Sequence, residues 1–191
     1  KTEYSNEIAI RLILGCLDVV ARRLDVQIIP QFVENNMHYY RIYVKILNRI
    51  DQNEHQGYIT HCRSCGDRNC ITNQKKICEV CNSKLEIAGP LWIDQLFNKK
   101  FIADMIRQIP KLVVRKNCIT ILEKCALEAE MPPTYYTLDE IASKMKCAPL
   151  KMKNAIKILQ DEGFLASPTS LNYTGLRTNC RMDNIIKLFK N

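Results

Sequence analysis

Four cysteines stand in two Cys-x-x-Cys pairs near the middle of the sequence, and their spacing suits a metal ion. They lie in the segment HCRSCGDRNCITNQKKICEVC, with residues 66–77 between the pairs. Each Cys-x-x-Cys turn brings two thiolates within reach of one metal, and a second turn completes a tetrahedron. Four thiolates leave no position open for a substrate, so such a site is structural and not catalytic. The sequence therefore predicts one structural zinc ion held by Cys62, Cys65, Cys78 and Cys81.

Six further cysteines lie outside this pattern. Cys70 and the neighbouring His61 could substitute as metal ligands, but the regular spacing favours the four. Cys16, Cys118 and Cys125 lie in apolar helical patterns and are expected to be buried free thiols. A disulfide framework would need an oxidising compartment, which nothing in the sequence indicates. A site that has lost its metal and a thiol-redox pair remain alternatives to zinc.

The composition describes an ordinary globular chain with a basic surplus. It is 47% hydrophobic and 25% charged, with a net charge of +8 and a pI near 9.0. This charge indicates a polyanionic partner, most often nucleic acid, although a solvated lysine-rich surface would give the same figure. The sequence has no stretch of about 18 consecutive apolar residues, so it predicts no membrane span. The first residues do not resemble a signal peptide, so we expect an intracellular protein, cytosolic or nuclear. Because the sequence lacks an initiator Met and opens almost directly into a helix, we also expect it to be cut from a longer chain.

The first third of the sequence predicts one helix and a hairpin. Residues 6–24 have apolar residues at helical spacing, with Ser5 as a candidate N-cap. Residues 26–33 and 38–47 have the pattern of strands, joined by a turn at residues 34–37. A polar linker follows, so residues 1–56 are predicted to be the helix-hairpin edge of an α/β domain. Residues 57–88 are predicted to form a small zinc ribbon.

The remaining residues, 89–191, predict an α-rich domain. Gly89-Pro90 is expected to interrupt the chain before a helix that begins near Asp94 and ends before Pro110. A second helix is expected over residues 111–130. Trp92, the only tryptophan, is expected to be a packing anchor and not a base-stacking platform.

The last sixty residues have the pattern of a winged helix. Thr137 is a candidate N-cap for a helix over residues 138–145, and a second helix is predicted at residues 150–161. Gly163 is expected to end it, before a strand at residues 164–166. A wing-like loop and a closing helix at residues 182–189 would complete a helix-turn-helix with a wing, a fold that binds nucleic acid or protein.

The charge of this segment indicates contact with phosphates. Residues 144–191 contain nine basic and three acidic residues. Lys153 and Lys157 are four apart and share a helix face, whereas Lys151 points elsewhere. We expect Lys153 and Lys157 to meet RNA phosphates, together with Arg177 from the wing. The alternative is a merely solubilising surface.

Four stretches together resemble the C-terminal part of the tRNA (guanine-26) N2-dimethyltransferase family. They are YSNEIAIRLILGCLDVVARR leading to HYYRIYVKIL, then GYITHCRSC with CEVC, then GPLWIDQLF, and last GFLASPTSLNYTGLRTN. The last stretch is the most specific. Pro168 and Ser170 stand where the family usually has Arg and His, which weakens any expectation of RNA contact at those two positions.

The resemblance implies a class I methyltransferase domain fused to a family-specific C-terminal domain. Residues 1–56 would then be the C-terminal remnant of the methyltransferase domain, with the helix-hairpin edge of its sheet, and residues 89–191 the winged-helix tRNA-binding domain. Such an enzyme moves methyl groups from S-adenosylmethionine to N2 of a guanine in tRNA.

This sequence contains neither a glycine-rich cofactor loop after a strand nor the family's acidic Asp-Pro motif. We therefore expect S-adenosylmethionine to be bound by an N-terminal catalytic half, the chain alone to be inactive, and tRNA to be its other partner. The oligomeric state has no signature in the sequence. Two alternatives remain: a stand-alone nucleic-acid-binding module with a zinc ribbon and winged helix, and a non-catalytic protein-interaction module.

Overall fold

The computed structural model describes residues 2–36, 38–49 and 52–190, which form an α+β fold of helices and three small sheets. The helices are α1 Ser5–Arg23, α2 Lys99–Gln108, α3 Lys116–Glu128, α4 Leu138–Met145, α5 Met152–Asp161 and α6 Met182–Lys190. The strands are β1 Gln27–Asn36, β2 Tyr39–Leu47, β3 Gln56–His61, β4 Arg68–Ile71, β5 Glu86–Trp92, β6 Tyr136–Thr137, β7 Ala166–Pro168 and β8 Gly175–Thr178. The sheets have the strand orders β1-β2, β4-β3-β5 and β6-β8-β7.

Helix α1 packs one apolar stripe, which includes Ile10 and Leu14, into the core. The predicted N-cap was wrong by one residue, because Ser5 is the first helical residue and Tyr4 precedes it without a side-chain capping bond. Gly15 brings the helix against β5. A Cβ at this position would lie 3.2 Å from the Cα of Leu91, so helix and strand touch backbone to backbone.

Strands β1 and β2 form the predicted antiparallel hairpin, with Val33 opposite Ile42. β1 runs three residues beyond its predicted end, so most of the expected turn is strand; Met37 lies outside the described residues. Side chains of β2 are largely exposed. Within the described residues β2 is an edge strand, which pairs with β1 on one side and with no strand on the other.

The second sheet incorporates a segment that was predicted to be a break. Gly89-Pro90 lies inside β5 with a cis peptide bond. β5 is an edge strand, where a proline without an N–H is tolerated. A Cβ on Gly89 would lie 2.6 Å from the carbonyl oxygen of Gly57, so only glycine allows this approach.

The two helices that follow are shorter than predicted. α2 begins at Lys99 and not near Asp94, because the Asn98 side chain caps it by accepting a bond from the backbone N–H of Phe101 (3.1 Å). A short 3-10 turn, Ile109–Lys111, and extended residues then delay α3 to Lys116.

The C-terminal elements follow the predicted order. The Thr137 hydroxyl accepts a bond from the backbone N–H of Glu140 (3.1 Å), which confirms it as the N-cap of α4. Gly163, with φ +83°, ends α5 as expected. The strand predicted at residues 164–166 is shifted to Ala166–Pro168, where β7 pairs with β8.

Two hydrophobic clusters hold the chain together. The larger cluster contains Ile10, Ile59 and Leu91, one residue from each of the three predicted segments. Strand β5 continues through the boundary that was predicted at residue 88. The boundaries at residues 56 and 88 stay predictions. The smaller cluster joins α4, α5 and α6 to the third sheet. Across the described ranges, no helix has the length and apolar character needed to cross a membrane.

Burial of the remaining singled-out side chains is mixed. Trp92 is 3% exposed, and its indole N–H donates to the carbonyl of Gln95 (3.2 Å), which confirms a packing role. Cys125 is buried as predicted. The predictions for Cys16 and Cys118 were wrong: both are exposed, because they lie on helix faces turned away from the core.

Candidate metal centre and nucleic-acid interface

The four predicted cysteines lie in two turns of similar backbone geometry. The N–H of Gly66 donates to the carbonyl of Cys62 (2.7 Å), and the N–H of Asn82 donates to that of Cys78 (2.9 Å). Gly66 and Asn82, each four residues after the first cysteine of its pair, have positive φ values of 85° and 57°. Glycine and asparagine adopt this conformation at the least cost. The local sequence therefore builds the same turn twice.

The turns bring the four sulfur atoms together. All four Sγ atoms lie within 4.8 Å of one another. The Sγ atoms of Cys62 and Cys81 are 3.4 Å apart, and those of Cys65 and Cys78 are 3.6 Å apart. A tetrahedral zinc site with Zn–S bonds of about 2.3 Å has S–S edges of about 3.8 Å. The donor set and its dimensions thus fit a four-thiolate zinc ion.

Without a cation, the thiols have unequal acidities. Burial raises the pKa of Cys62, whereas hydrogen bonding from Ser83 lowers the pKa of Cys81 to about 6. A divalent ion stabilises the thiolate form of every ligand, so binding would release protons from the buried thiols.

The two spare residues lie apart from this cluster. The only group of metal-ligating side chains within the described residues is the four cysteines. Cys70 lies in β4, where burial raises the pKa of its thiol to about 11. His61 packs edge-on against the Tyr4 ring (centroids 5.5 Å apart). Burial and the charge of Arg68 lower its pKa to about 4, so it is neutral at pH 7.

Lys153 and Lys157 both lie exposed on α5. They are one turn apart, so their ammonium groups can reach adjacent phosphates of a polyanion. Lys151 is the N-cap residue of the same helix and is also exposed. Lys144, on α4, instead donates to the carbonyls of Arg63 and Ser64 (3.0 and 3.1 Å) and binds the helix to the first cysteine turn.

Arg177 occupies a different place from the one predicted. Its side chain is 3% exposed, and its Nε donates to Glu128 (2.7 Å). Its Nη1 donates to Glu7 (3.1 Å) and to the carbonyls of Pro132 and Thr134. A guanidinium enclosed in this way has no face open to a phosphate, so the expected RNA contact of Arg177 does not fit the structure.

We call Arg177, Glu7 and Glu128 the Arg177 cluster, and sequence reasoning missed its two acids. Both carboxylates are buried, at 0% and 1% exposure. Arg11 also bonds Glu7 (2.8 Å). The cluster joins α1, α3 and β8. Glu7 and Arg11 could have been noticed, because each lies three residues before a core position of the α1 stripe.

Ser170, which stands where the family usually has His, also bonds the Arg177 cluster. Its backbone N–H donates to Glu128 (2.8 Å), and its hydroxyl bonds the same carboxylate. Thr169 donates to the other Glu128 oxygen (2.6 Å). This position therefore faces the buried acid.

None of the described strand-to-helix connections is a glycine-rich loop. A glycine-rich loop between a strand and a helix lets a backbone approach a cofactor such as S-adenosylmethionine. The strand-to-helix connections of this chain, residues 93–98 and 179–181, contain no glycine, and β6 runs directly into α4.

A solved structure and several curated proteins are similar to this chain. A solved structure of Trm1 from Pyrococcus horikoshii with S-adenosyl-L-methionine superposes with a TM-score of 0.83 at 22% identity, over 98% of this chain and 50% of that one. The tRNA (guanine(26)-N(2))-dimethyltransferase of Methanobrevibacter smithii is 29% identical over all of this chain and 52% of its own length. The tRNA (guanine(26)-N(2)/guanine(27)-N(2))-dimethyltransferase of Aquifex aeolicus is 27% identical over 98% of this chain and 49% of its own length.

Fold and sequence therefore point to one class of protein, the methyltransferases that modify tRNA. The chain belongs to the N2,N2-dimethylguanosine tRNA methyltransferase family, which matches residues 1–190. The predicted resemblance is confirmed. The chain spans about half the length of the curated relatives it matches.

Proposed function

We propose that this chain is the tRNA-binding part of an S-adenosylmethionine-dependent enzyme that dimethylates N2 of guanine 26 in tRNA. The observation that carries the proposal is a family match over residues 1–190 that spans only half of each relative. The absence of a fitting cofactor loop among the described residues agrees with this division. An N-terminal catalytic half of the same enzyme supplies the cofactor site, and this chain alone transfers no methyl group. Such an enzyme works inside the cell, in cytosol or nucleus.

The sheet β4-β3-β5 and its two cysteine turns form a zinc ribbon in this proposal. The zinc is structural, because four thiolates saturate it. Its support is the close packing of four sulfur atoms in turns of matching geometry. The ribbon positions Lys144 and α4 through the carbonyls of the first turn.

The elements α4, α5, α6 and sheet β6-β8-β7 form a winged helix in this proposal, and α5 faces the RNA. Lys153 and Lys157 neutralise phosphates and position the tRNA without reading its bases. Recognition of folded tRNA by shape suits such contacts, since the A-form major groove is too narrow for side chains.

The catalytic half packs on the outer face of α1. This face exposes large apolar side chains in one patch, an arrangement typical of an interface. In a stand-alone binding module this apolar face would remain in contact with water, so the enzyme is favoured over that alternative. The exposed apolar residues of this face are Leu12, Ile13, Leu17, Val19 and Val20 on α1, and Leu24 directly after it.

The salt dependence of tRNA binding tests the role of α5. Each lost phosphate contact lowers the slope of log affinity against log salt by about one unit. Lys153→Ala/Lys157→Ala should therefore lower the slope by about two units and weaken binding to all tRNAs alike. Lys151→Ala is the matched control and should leave both quantities near wild type. If the double variant keeps the wild-type affinity and slope, α5 is not the RNA-binding face.

A further inference from the structure

The first cysteine turn, residues 62–66, touches the winged helix directly. A Cβ on Gly66 would lie 2.6 Å from Cε of Lys144 on α4 and 3.1 Å from Cγ of Met182 on α6. The second cysteine turn is different. Throughout the part of the chain that the structure describes, the hydrogen bonds and ion pairs of residues 78–83 stay within the ribbon.

Asp67, directly after the first turn, connects the cysteines to the winged helix within a single residue. Its carbonyl accepts a bond from the backbone N–H of Cys62 (2.9 Å), and its own N–H donates to the sulfur of Cys65. Its buried carboxylate accepts two bonds from Arg181, one from Nε (3.1 Å) and one from Nη2 (2.8 Å). A two-bonded contact of this kind fixes the orientation of both groups.

Arg181 stands directly before α6. Its carbonyl accepts bonds from the backbone N–H groups of Asn184 (3.1 Å) and Ile185 (3.0 Å), in the first turn of that helix. Ile185 is buried in the smaller hydrophobic cluster, together with residues of α4 and α5. The Arg181–Asp67 ion pair therefore joins the first cysteine turn to a helix that is packed into the winged helix.

The two cysteine turns differ in the residue that follows them. Asp67 and Ser83 each stand five residues after the first cysteine of a pair, and each accepts a bond from the backbone N–H of that cysteine (2.9 Å in both turns). The Ser83 hydroxyl also donates to the sulfur of Cys81. A carboxylate cannot donate in this way, and it is repelled by a dication with four thiolates, which together remain anionic. Arg181 supplies the positive charge that allows Asp67 to lie buried beside such a site.

We propose that Asp67 and Arg181 are positioning residues of the metal site. The winged helix then helps to bind the zinc ion, and the ion in turn holds α6 on the ribbon. This inference rests on the proposed zinc ribbon. Loss of a group that orients metal ligands typically lowers metal affinity about 10- to 100-fold. Because coupling between two sites is reciprocal, zinc stabilises the docking of α6 by as much as that docking stabilises bound zinc.

The first experiment measures the zinc affinity of this chain by competition with a chromophoric chelator. Asp67→Asn keeps the shape of the side chain but loses the ion pair, and should bind zinc about 10- to 100-fold more weakly. Arg181→Met leaves the carboxylate buried without its cation and should weaken binding at least as much. The double variant should bind no more weakly than Arg181→Met, because both substitutions remove the same interaction.

Glu79→Gln is the matched control. It also removes one acid from a cysteine turn, but Glu79 is 62% exposed and pairs with Lys75 inside the ribbon. Its zinc affinity should stay near that of wild type. Arg181→Lys keeps the charge without the planar fork, so it should recover part of the affinity that Arg181→Met loses.

Hydrogen exchange of α6 measures the reciprocal effect. In the wild-type chain, removal of zinc should speed the exchange of the Asn184 and Ile185 amides, which bond the carbonyl of Arg181. In Asp67→Asn, zinc should change the exchange of these amides much less. A residue that only stabilised the fold would speed their exchange with and without zinc alike, and the effect of zinc would persist.

The outcomes separate this inference from the proposed function. Equal zinc affinities of Asp67→Asn, Glu79→Gln and wild type would overturn the inference and leave the zinc site standing. An undiminished effect of zinc on the α6 amides of Asp67→Asn would also overturn it. A wild-type chain that binds no zinc would refute the zinc ribbon, and the inference with it. If Asp67→Asn does not fold, Arg181→Met serves both measurements, since the Arg181 side chain is 40% exposed.

Discussion

Replacing Arg177 by methionine should destabilise the chain more than any exposed charge substitution. Methionine has a similar length but no charge, so Glu7 and Glu128 would lose a shared cation inside the core. Removing one partner of a buried ion pair costs about 3–5 kcal/mol, because the remaining charge is uncompensated. For a chain of this length the unfolding entropy is about 0.4 kcal/mol per degree, so the melting temperature should fall by roughly 8–12 °C.

The matched control is Lys99→Ala, which breaks an exposed ion pair with Glu130. The side chains of Lys99 and Glu130 are 64% and 73% exposed. Exposed pairs contribute about 0–1 kcal/mol, so this variant should melt within about 3 °C of wild type. Thermal unfolding followed by circular dichroism at pH 7 measures both variants. A melting temperature of Arg177→Met close to that of the control would refute the role assigned to the cluster.

The pH dependence gives a second measure of the same cluster. Burial alone would raise the pKa of Glu7, but Arg177 and Arg11 more than offset it and lower the pKa from 4.5 to about 2. A folded pKa below the ordinary value means that ionised Glu7 stabilises the fold above pH 4.5. That contribution, about 3 kcal/mol, is lost as the pH falls towards 2. Arg177→Met lacks one of the two cations, so its difference from wild type should shrink over this range.

Two further outcomes test the cysteine cluster and the division of the enzyme. Cys78→Ser should lose the bound zinc and unfold the ribbon, whereas Cys70→Ser should retain about one equivalent by elemental analysis; a fully folded wild-type chain with less than half an equivalent would refute the metal site. Calorimetry with S-adenosylmethionine should show no heat above dilution for this chain, and micromolar binding would refute the assignment of the cofactor site to the N-terminal half.

Local signals in the sequence predicted local structure well. The bounds of α4 agree with residues 138–145, because a cap, early acids and an apolar stripe all point to the same helix. The cysteine cluster was predictable for the same reason: each pair is a self-contained turn. By contrast, apolar spacing could not place the start of α2, which Asn98 sets through a single capping bond.

The pairing of residues far apart in the chain could not be predicted from the sequence. Glu7 and Arg177 are 170 residues apart, and no local pattern around either residue indicates the other as its partner. The burial of Arg177 follows from three elements meeting, so its charge suggested a surface role. Glu7 is a charged residue on an otherwise apolar helix stripe. Because a buried charge is normally paired, this position is the signal that could have predicted a buried partner of opposite charge.

The backbone contact at Gly15 limits how an enzyme built around this chain can move. Helix α1 and strand β5 meet with no side chain between them, and the next larger residue would have to push the strand aside. A joint of this kind cannot slide or open without exposing both backbones. Helix α1 and the ribbon would therefore move as one body, and a catalytic half packed on α1, as in the proposed enzyme, would keep a fixed position relative to the ribbon.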